Sequence, residues 1–258
     1  MEQPNIVSRE EWLAARRALL AKEKQLIRQR DQVSALRRRL PWVRLEDPYV
    51  FDGPNGKETL AELFAGKSQL IAYHFMFAPG WEEGCDGCSF LADHIDGANL
   101  HLAHHDVSLI VVSRAPYREF QAFKQRMGWR FNWVSSHGND FNYDFGVSIT
   151  PAQVAEGSAT YNYERVDFDG EMPGISVFCK NAAGEVFHTY SSYARGGDLL
   201  IGAYNYLDLT PKGRNEASTM DWVRLRDRYE GNGAIAPQEP TTHQAGSESC
   251  CHAEAARA

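Results

Sequence analysis

Residues 69–93 read QLIAYHFMFAPGWEEGCDGCSFLAD. The first part, Gln69 to Phe77, is short, apolar and rich in aromatic and branched residues, and Ala78-Pro79-Gly80 closes it. That pattern predicts a strand buried on both faces, in the middle of an α/β sheet. After Cys88 the spacing turns helical, with Phe90, Leu91, His94 and Ile95 on one side. Cys85 and Cys88, separated by Asp86 and Gly87, therefore open a helix directly after a core strand. A cysteine placed there meets unpaired backbone N–H groups and the positive end of the helix dipole, and both favour thiolate over thiol. The thiolate is the nucleophile of disulfide exchange. A second thiol one turn on can then release a mixed disulfide. The expected catalytic roles are Cys85 as attacking thiol and Cys88 as resolving thiol. Asp86, Glu82 and Glu83 set negative charge nearby, which raises a thiol pKa and points to a mild reductant rather than a strong oxidant.

A C-x-x-C pair also serves zinc, but structural zinc needs a second pair of ligands. The other cysteines, Cys179, Cys250 and Cys251, have no partner at zinc-finger spacing. Cys179, at a strand end, reads as a small buried hydrophobe. Cys250-Cys251-His252 reads as incidental. His74 lies within the core strand and reads as a satisfied interior histidine. His94, His101, His104 and His105 read as surface residues, with copper or zinc binding beside the dithiol as the alternative. No metal site and no cofactor are expected; Arg195-Gly196-Gly197 lacks the lysine and preceding glycines of a P-loop.

With 258 residues, 43% of them hydrophobic, the chain has enough apolar material for one domain with extensions. Its net charge of -7 offers no footing for nucleic acid. No run of about eighteen apolar residues exists, so no membrane span is expected. The start, MEQPNIVSREEW, lacks the basic and apolar regions of a signal peptide. Five cysteines do not suggest a disulfide framework. Cytoplasmic localisation is the expectation, and there a C-x-x-C is more often catalytic than structural.

Three regions follow: an amphipathic helical segment (1–41), a main domain (42–230) and a disordered tail (231–258) rich in Gly, Ala, Pro, Gln and Ser. Ser8 to Leu40 reads as one long helix, with Ser8 and Glu11 as a capping box. Trp12, Leu19, Leu26, Val33 and Leu40 recur every seven residues, flanked by Leu13, Leu20 and Ile27. Ten basic against four acidic residues give residues 8–40 a charge of +6, and the remainder -13. Such a helix docks along its own acidic domain, pairs two chains into a homodimer, or lies on an anionic membrane. Docking or dimerisation is favoured, because the arginines are spread around the helix. In the main domain, 49–60 reads as a hairpin, 107–113 as a second buried strand, 117–127 as a helix ended by Gly128, and 129–135 as a short strand. Residues 137–170 read as a long, mostly loop insertion with a helical turn at 151–155. Strands at 175–179 and 185–190, then helices at 198–207 and 220–229, complete the order. Arg114 follows the second strand, where α/β sites gather, and is a candidate for an anionic substrate group, with pairing to the acidic loop as the alternative.

Strand, C-x-x-C helix, strand, helix, then an X-Pro ahead of a hairpin and a last helix resembles the thioredoxin fold. The segments YVFDGPNGKETLAELF, QLIAYHFMF, WEEGCDGCSF, VVSRAP, RMGWRFNWVSS, DFNYDFGVS, FHTYSSYARG and LDLTPKGRNE are similar to a thioredoxin-like family once catalogued as domain of unknown function 899. Its members are described as predicted dithiol-disulfide oxidoreductases. The resemblance covers most of residues 40–230. It implies a three-layer α/β fold with a central mixed sheet, a long N-terminal helix and a loop-rich insertion before a cis-proline. It implies a redox role at Cys85 and Cys88, with a disulfide substrate and an external thiol as electron donor. It places the cis-proline at Pro173, which would set the Met172 backbone beside the sulfurs to pair with a substrate strand. Trp81, ahead of the dithiol, joins Met172, Pro173 and Arg114 as an expected substrate contact. Gly84 stands where thioredoxin has tryptophan, and Asp86-Gly87 where it has Gly-Pro. The early hairpin is also similar to peroxiredoxins, so a thiol peroxidase is the alternative activity. A non-enzymatic metal-binding or docking module using the same dithiol is the second.

Overall fold

The computed structural model describes residues 5–46 and 48–229. The expected tail, with Cys250, Cys251 and His252, lies outside them.

Helix α1 (Arg9–Arg37) starts at Ser8, whose Oγ accepts from the Glu11 N–H while Glu11 accepts from the Ser8 N–H at 2.9 Å. This is the expected capping box; the helix stops three residues short of Leu40. None of its residues is buried, and Trp12, Leu19, Leu26 and Val33 all face solvent. Docking of α1 along its own domain is therefore overturned. It touches the body near its C-terminal end, where the Arg37 guanidinium lies 4.7 Å above the Tyr190 ring.

The main sheet begins with β1 (Val43–Arg44) and the hairpin β2 (Val50–Gly53) and β3 (Gly56–Thr59). A turn follows, in which Glu62 accepts from the Thr59 N–H at 2.7 Å and sends Leu63 and Phe64 into the core. The central strand β4 (Gln69–His74) leads to α2 (Asp86–Ala92) and α3 (Ile95–Ala103). Then come β5 (Val107–Ser113), α4 (Gln121–Met127) and β6 (Asn132–Ser135). Gly128 ends α4 with φ +68°, a left-handed turn that glycine adopts without strain. The long insertion holds α5 (Phe141–Asp144), β7 (Ser148–Ile149), α6 (Pro151–Ala155), β8 (Thr160–Tyr161), β9 (Glu164–Arg165) and β10 (Gly170–Glu171). The domain finishes with β11 (Gly174–Lys180), β12 (Val186–Tyr193), a 3-10 turn (Ala194–Leu200) and α7 (Gly202–Leu207).

Eight strands form one mixed sheet in the order β1-β12-β11-β4-β5-β6-β2-β3. The pairs β4–β5 and β5–β6 are parallel; β11 runs antiparallel to both β4 and β12. The strand period of two divides the core between the faces. Leu70, Ala72, Ile110 and Val112 point to one side, with Phe51, Phe64, Phe141 and Phe178. Tyr73, Phe75, Leu109 and Val111 point to the other, under α2, α3, α4 and α7. The result is the three-layer thioredoxin-like fold.

The insertion is loop-rich, with its helical turn at Pro151–Ala155, as expected. It also carries core, since Phe141 and Phe145 are core residues and Ile149, Ala159 and Tyr161 form a third cluster. Phe141 and Phe145 are buried because they cover the face opposite α2, whereas Tyr163 is exposed. Two expectations need correction. Residues 220–229 form no helix but an irregular segment laid across α2. Contacts with the body outweigh local helical bonds there: Val223 and Leu225 are buried, and the Trp222 ring meets Phe90 edge-on at 5.5 Å. Finally, no described peptide bond is cis, so Met172–Pro173 is trans. The chain runs extended from β10 into β11, and the Met172 N–H still pairs with Val147 O at 2.8 Å.

Candidate active site

Cys85 is the N-cap of α2, with extended backbone angles. Ser89 Oγ donates back to Cys85 O at 2.9 Å, and the Cys85 N–H donates to Met76 O at 3.4 Å. These bonds pin the first turn of α2 to the end of the core strand. Gly84 is needed just before it: a side-chain carbon there would run into the Phe75 ring and lie 2.9 Å from Phe123.

The Cys85 thiol is lowered to about 6. Hydrogen bonding with the Cys88 thiol is the main cause, and the backbone N–H groups of Cys88 and Gly87 add to it; burial and Asp86 oppose. Cys85 Sγ makes no N-cap hydrogen bond of regular geometry, so those N–H groups act on it at longer range. The expected penalty from the preceding glutamates is weaker than their charge suggests. Glu83 is held by Arg126 and by Arg228, the latter at 2.6 Å. Cys88 is buried, and burial pushes its thiol well above the ordinary value. Its Sγ accepts from the Met76 N–H at 3.5 Å. Tyr73, buried on the same face, donates its hydroxyl to Cys88 O at 3.5 Å. The pair is thus asymmetric: a half-buried thiol ready to ionise and a buried one held protonated.

A pocket of about 130 Å³ opens beside the two sulfurs. Its walls include Tyr73, Leu91, Pro173, Ile175, Ile201 and Met220. Of the six expected site residues the pocket gathers Cys85, Cys88 and Pro173. The other three sit elsewhere. Met172 packs on the third cluster. Trp81 is 39% exposed and touches Phe77, with ring centres 6.4 Å apart. Arg114 Nε lies 2.5 Å from Glu171 Oε1, and the other carboxylate oxygen of this buried glutamate accepts from Ser148 Oγ at 2.6 Å. Arg114 therefore neutralises an internal acid; it does not line the dithiol pocket.

Sequence reasoning missed Tyr73, Tyr161 and Met220. Tyr73 was open to discovery, since it alternates with Phe75 and Phe77 toward the helix side. Tyr161 holds the proline loop: its hydroxyl donates to Pro173 O at 2.7 Å and accepts from the Ala194 N–H at 2.9 Å. Met220 has φ +63° and approaches so closely that a side-chain carbon at Gly87 would lie 2.8 Å from its sulfur. No local pattern announces either contact.

The histidines are structural or exposed. His94 Nδ1 lies 2.8 Å from Phe90 O, and Nε2 accepts from the Ala203 N–H at 3.1 Å, tying α2 to α7. His101, His104 and His105 are exposed. His74 is only half satisfied: Nε2 meets Ser176 Oγ at 2.8 Å, while Nδ1 has no partner among the described residues. Burial, with a smaller effect of His188, pushes His74 down to about 3. Cys179 is half-buried rather than buried. Among the described residues no three His, Cys, Asp or Glu side chains gather where a metal ion would sit.

Over residues 1–229 the chain matches the family described as "Bacterial protein of unknown function (DUF899)". The chain belongs to that family. No curated protein matches it. Among solved structures, a peroxidoxin BcpB from Mycobacterium tuberculosis is similar at 13% identity and TM-score 0.42, covering 63% of this chain and 93% of that one. A peroxiredoxin Q variant from Xanthomonas campestris is similar at 14% identity and TM-score 0.40, covering 61% and 90%. A provisionally assigned protein disulfide isomerase from Bacteroides thetaiotaomicron is similar at 15% identity and TM-score 0.37, covering 69% and 94%. Likeness at this level assigns no activity to this DUF899 chain. No helix among its described residues is long and apolar enough to cross a membrane.

Proposed function

We propose that this DUF899 chain is a thiol–disulfide oxidoreductase. Cys85 attacks a substrate disulfide as thiolate, and Cys88 resolves the mixed disulfide. The observation that carries this reading is the asymmetry of the pair: Cys85 lowered to about 6 at a helix start, Cys88 buried and raised, both beside one pocket. A thiolate at neutral pH is the competent nucleophile, and a protonated neighbour waits until the intermediate forms. An external thiol then returns the pair to the reduced state. The test is disulfide reduction by single variants. Cys85→Ser is expected to abolish it, and Cys88→Ser to accumulate mixed disulfides visible by mass spectrometry. Two variants as active as the parent would falsify the assignment.

The low Cys85 pKa also suits a thiol peroxidase, as a second reading. There Cys85 thiolate would attack one peroxide oxygen, and the O–O bond would break with release of an alcohol or water. Cys88 would then condense with the resulting Cys85 sulfenic acid, releasing water. Stopped-flow peroxide consumption separates the two.

The bare apolar stripe of α1 supports a homodimer. A basic segment, +6 over residues 8–40, meets less repulsion against the acidic body of a second copy than against an equally basic helix. An anionic membrane would attract α1 but repel that body.

A further inference from the structure

Thioredoxin-like sites take polypeptide disulfides by pairing the backbone next to their proline with a substrate strand, and that contact was the expectation for Met172. The structure closes it. The insertion supplies the pairing strand itself: β7 runs antiparallel to β10, with Ile149 opposite Gly170 and Ser148 opposite Glu171. The ladder continues to the proline, since the Met172 N–H donates to Val147 O at 2.8 Å. Pro173 has no N–H, and its carbonyl accepts from Tyr161 at 2.7 Å. An extended peptide arriving here would have to displace the molecule's own strand.

What stays open is the pocket beside the sulfurs. Its volume of about 130 Å³ is close to the roughly 150 Å³ of an apolar cavity that accepts benzene. Its polar wall groups are few: Ser192, Asp198, the Tyr73 hydroxyl and the two thiols. None of the lining residues is basic, and Arg214 and Arg195, which lie behind the Asp198 carboxylate at 3.0 and 3.2 Å, are already paired with it. A substrate bearing carboxylates would lose hydration there and find no unpaired cation on the pocket wall. Glycines keep the space free: a side-chain carbon at Gly197 would lie 3.3 Å from Leu91 and 3.8 Å from Ile175.

We propose that the Cys85–Cys88 dithiol acts on a low-molecular-weight, uncharged disulfide whose apolar part seats in this pocket, and not on an extended polypeptide. This rests on the oxidoreductase reading. Cys85 thiolate attacks one substrate sulfur, a Cys85–substrate bond forms, and the substrate S–S bond breaks with release of one thiolate. Cys88 then gives up its proton and attacks Cys85 Sγ. The Cys85–Cys88 disulfide forms and the second substrate thiolate leaves. The substrate gains two electrons and the dithiol loses two.

The test mixes reduced protein rapidly with lipoamide (a neutral cyclic disulfide), oxidised glutathione or insulin, and follows loss of protein thiols. Lipoamide is expected to react roughly tenfold or more faster than the other two. Gly197→Val, which narrows the pocket, is expected to slow lipoamide by a similar factor. The pH midpoint of Cys85 alkylation should stay put in that variant, which shows its fold and thiolate intact. Glutathione disulfide or insulin reacting as fast as lipoamide, or an unslowed Gly197→Val, overturns the proposal and leaves the oxidoreductase reading standing. A folded protein that none of the three oxidises removes both.

Discussion

Cys85 and Cys88 are the same residue type one helical turn apart, yet their surroundings drive them in opposite directions. Hydrogen bonding with Cys88 and the first N–H groups of α2 lower Cys85, while burial raises Cys88. Two coupled thiols titrate as a pair, so the measurable quantity is an apparent midpoint. The fraction of thiolate rises with pH through that midpoint, and alkylation follows it. Iodoacetamide should label Cys85 in the reduced protein with a rate that climbs between about pH 5 and pH 7 and is flat above, as a midpoint near 6 requires. Labelling of Cys88 should remain slow throughout. A single midpoint at the ordinary cysteine value of about 8.5 would count against the asymmetry. Gly84 shows how strictly this corner is packed. A side chain has no room there, because Phe75 and Phe123 already fill that space.

At the scale of elements, strands β4 and β5 and the start of α2 were legible in the sequence, because they are local and their apolar runs or helical stripe reveal them. The break between α2 and α3 and the late start of α4 at Gln121, not 117, were not. The hairpin β2–β3 and the turn at Gly128 were legible through their Gly, Pro and Asn residues. In the insertion the loops and the turn at Pro151–Ala155 were legible, but its burial was not. Its two-residue strands carry no periodicity, and Phe141, Phe145 and Tyr161 look alike whether they cover a core or cap a flap. Pairing between β7 and β10 decides the matter, and it joins residues far apart in the chain. For Arg114 the sequence left two readings, an anionic substrate group or the acidic loop, and the structure takes the second by pairing it with Glu171. That partner makes it structural. Glu171 has 3% of its side chain exposed, so Arg114→Ala leaves a buried carboxylate without its cation. A loss of about 3–5 kcal/mol is expected in urea unfolding, and Arg114→Ala with Glu171→Gln should recover part of it. If Arg114→Ala unfolds at the parent's midpoint, the pair contributes nothing and the insertion is held by its aromatics alone.

For the whole molecule, the sequence showed α1 as amphipathic but not what its stripe would meet. Leu19 is 54% exposed and Leu26 65%, so the monomer supplies no cover for either. Sedimentation at neutral pH and moderate salt should find a dimer. Leu19→Glu with Leu26→Glu should yield monomers whose Cys85 alkylation is unchanged. Raising ionic strength from about 0.1 M to about 1 M shortens the screening length from about 10 Å to about 3 Å, and should loosen the parent dimer. A parent that sediments as a monomer under all these conditions removes the second-copy assignment, and vesicle binding in its place would point α1 to a membrane.

Met220, in the last described segment, forms part of the wall over Gly87 and the dithiol. During synthesis on a ribosome, the two sulfurs therefore emerge long before the residue that roofs them. Until that final stretch clears the exit tunnel, the nascent chain carries an uncovered pair of thiols, open to cellular oxidants and to partners that the finished protein turns away.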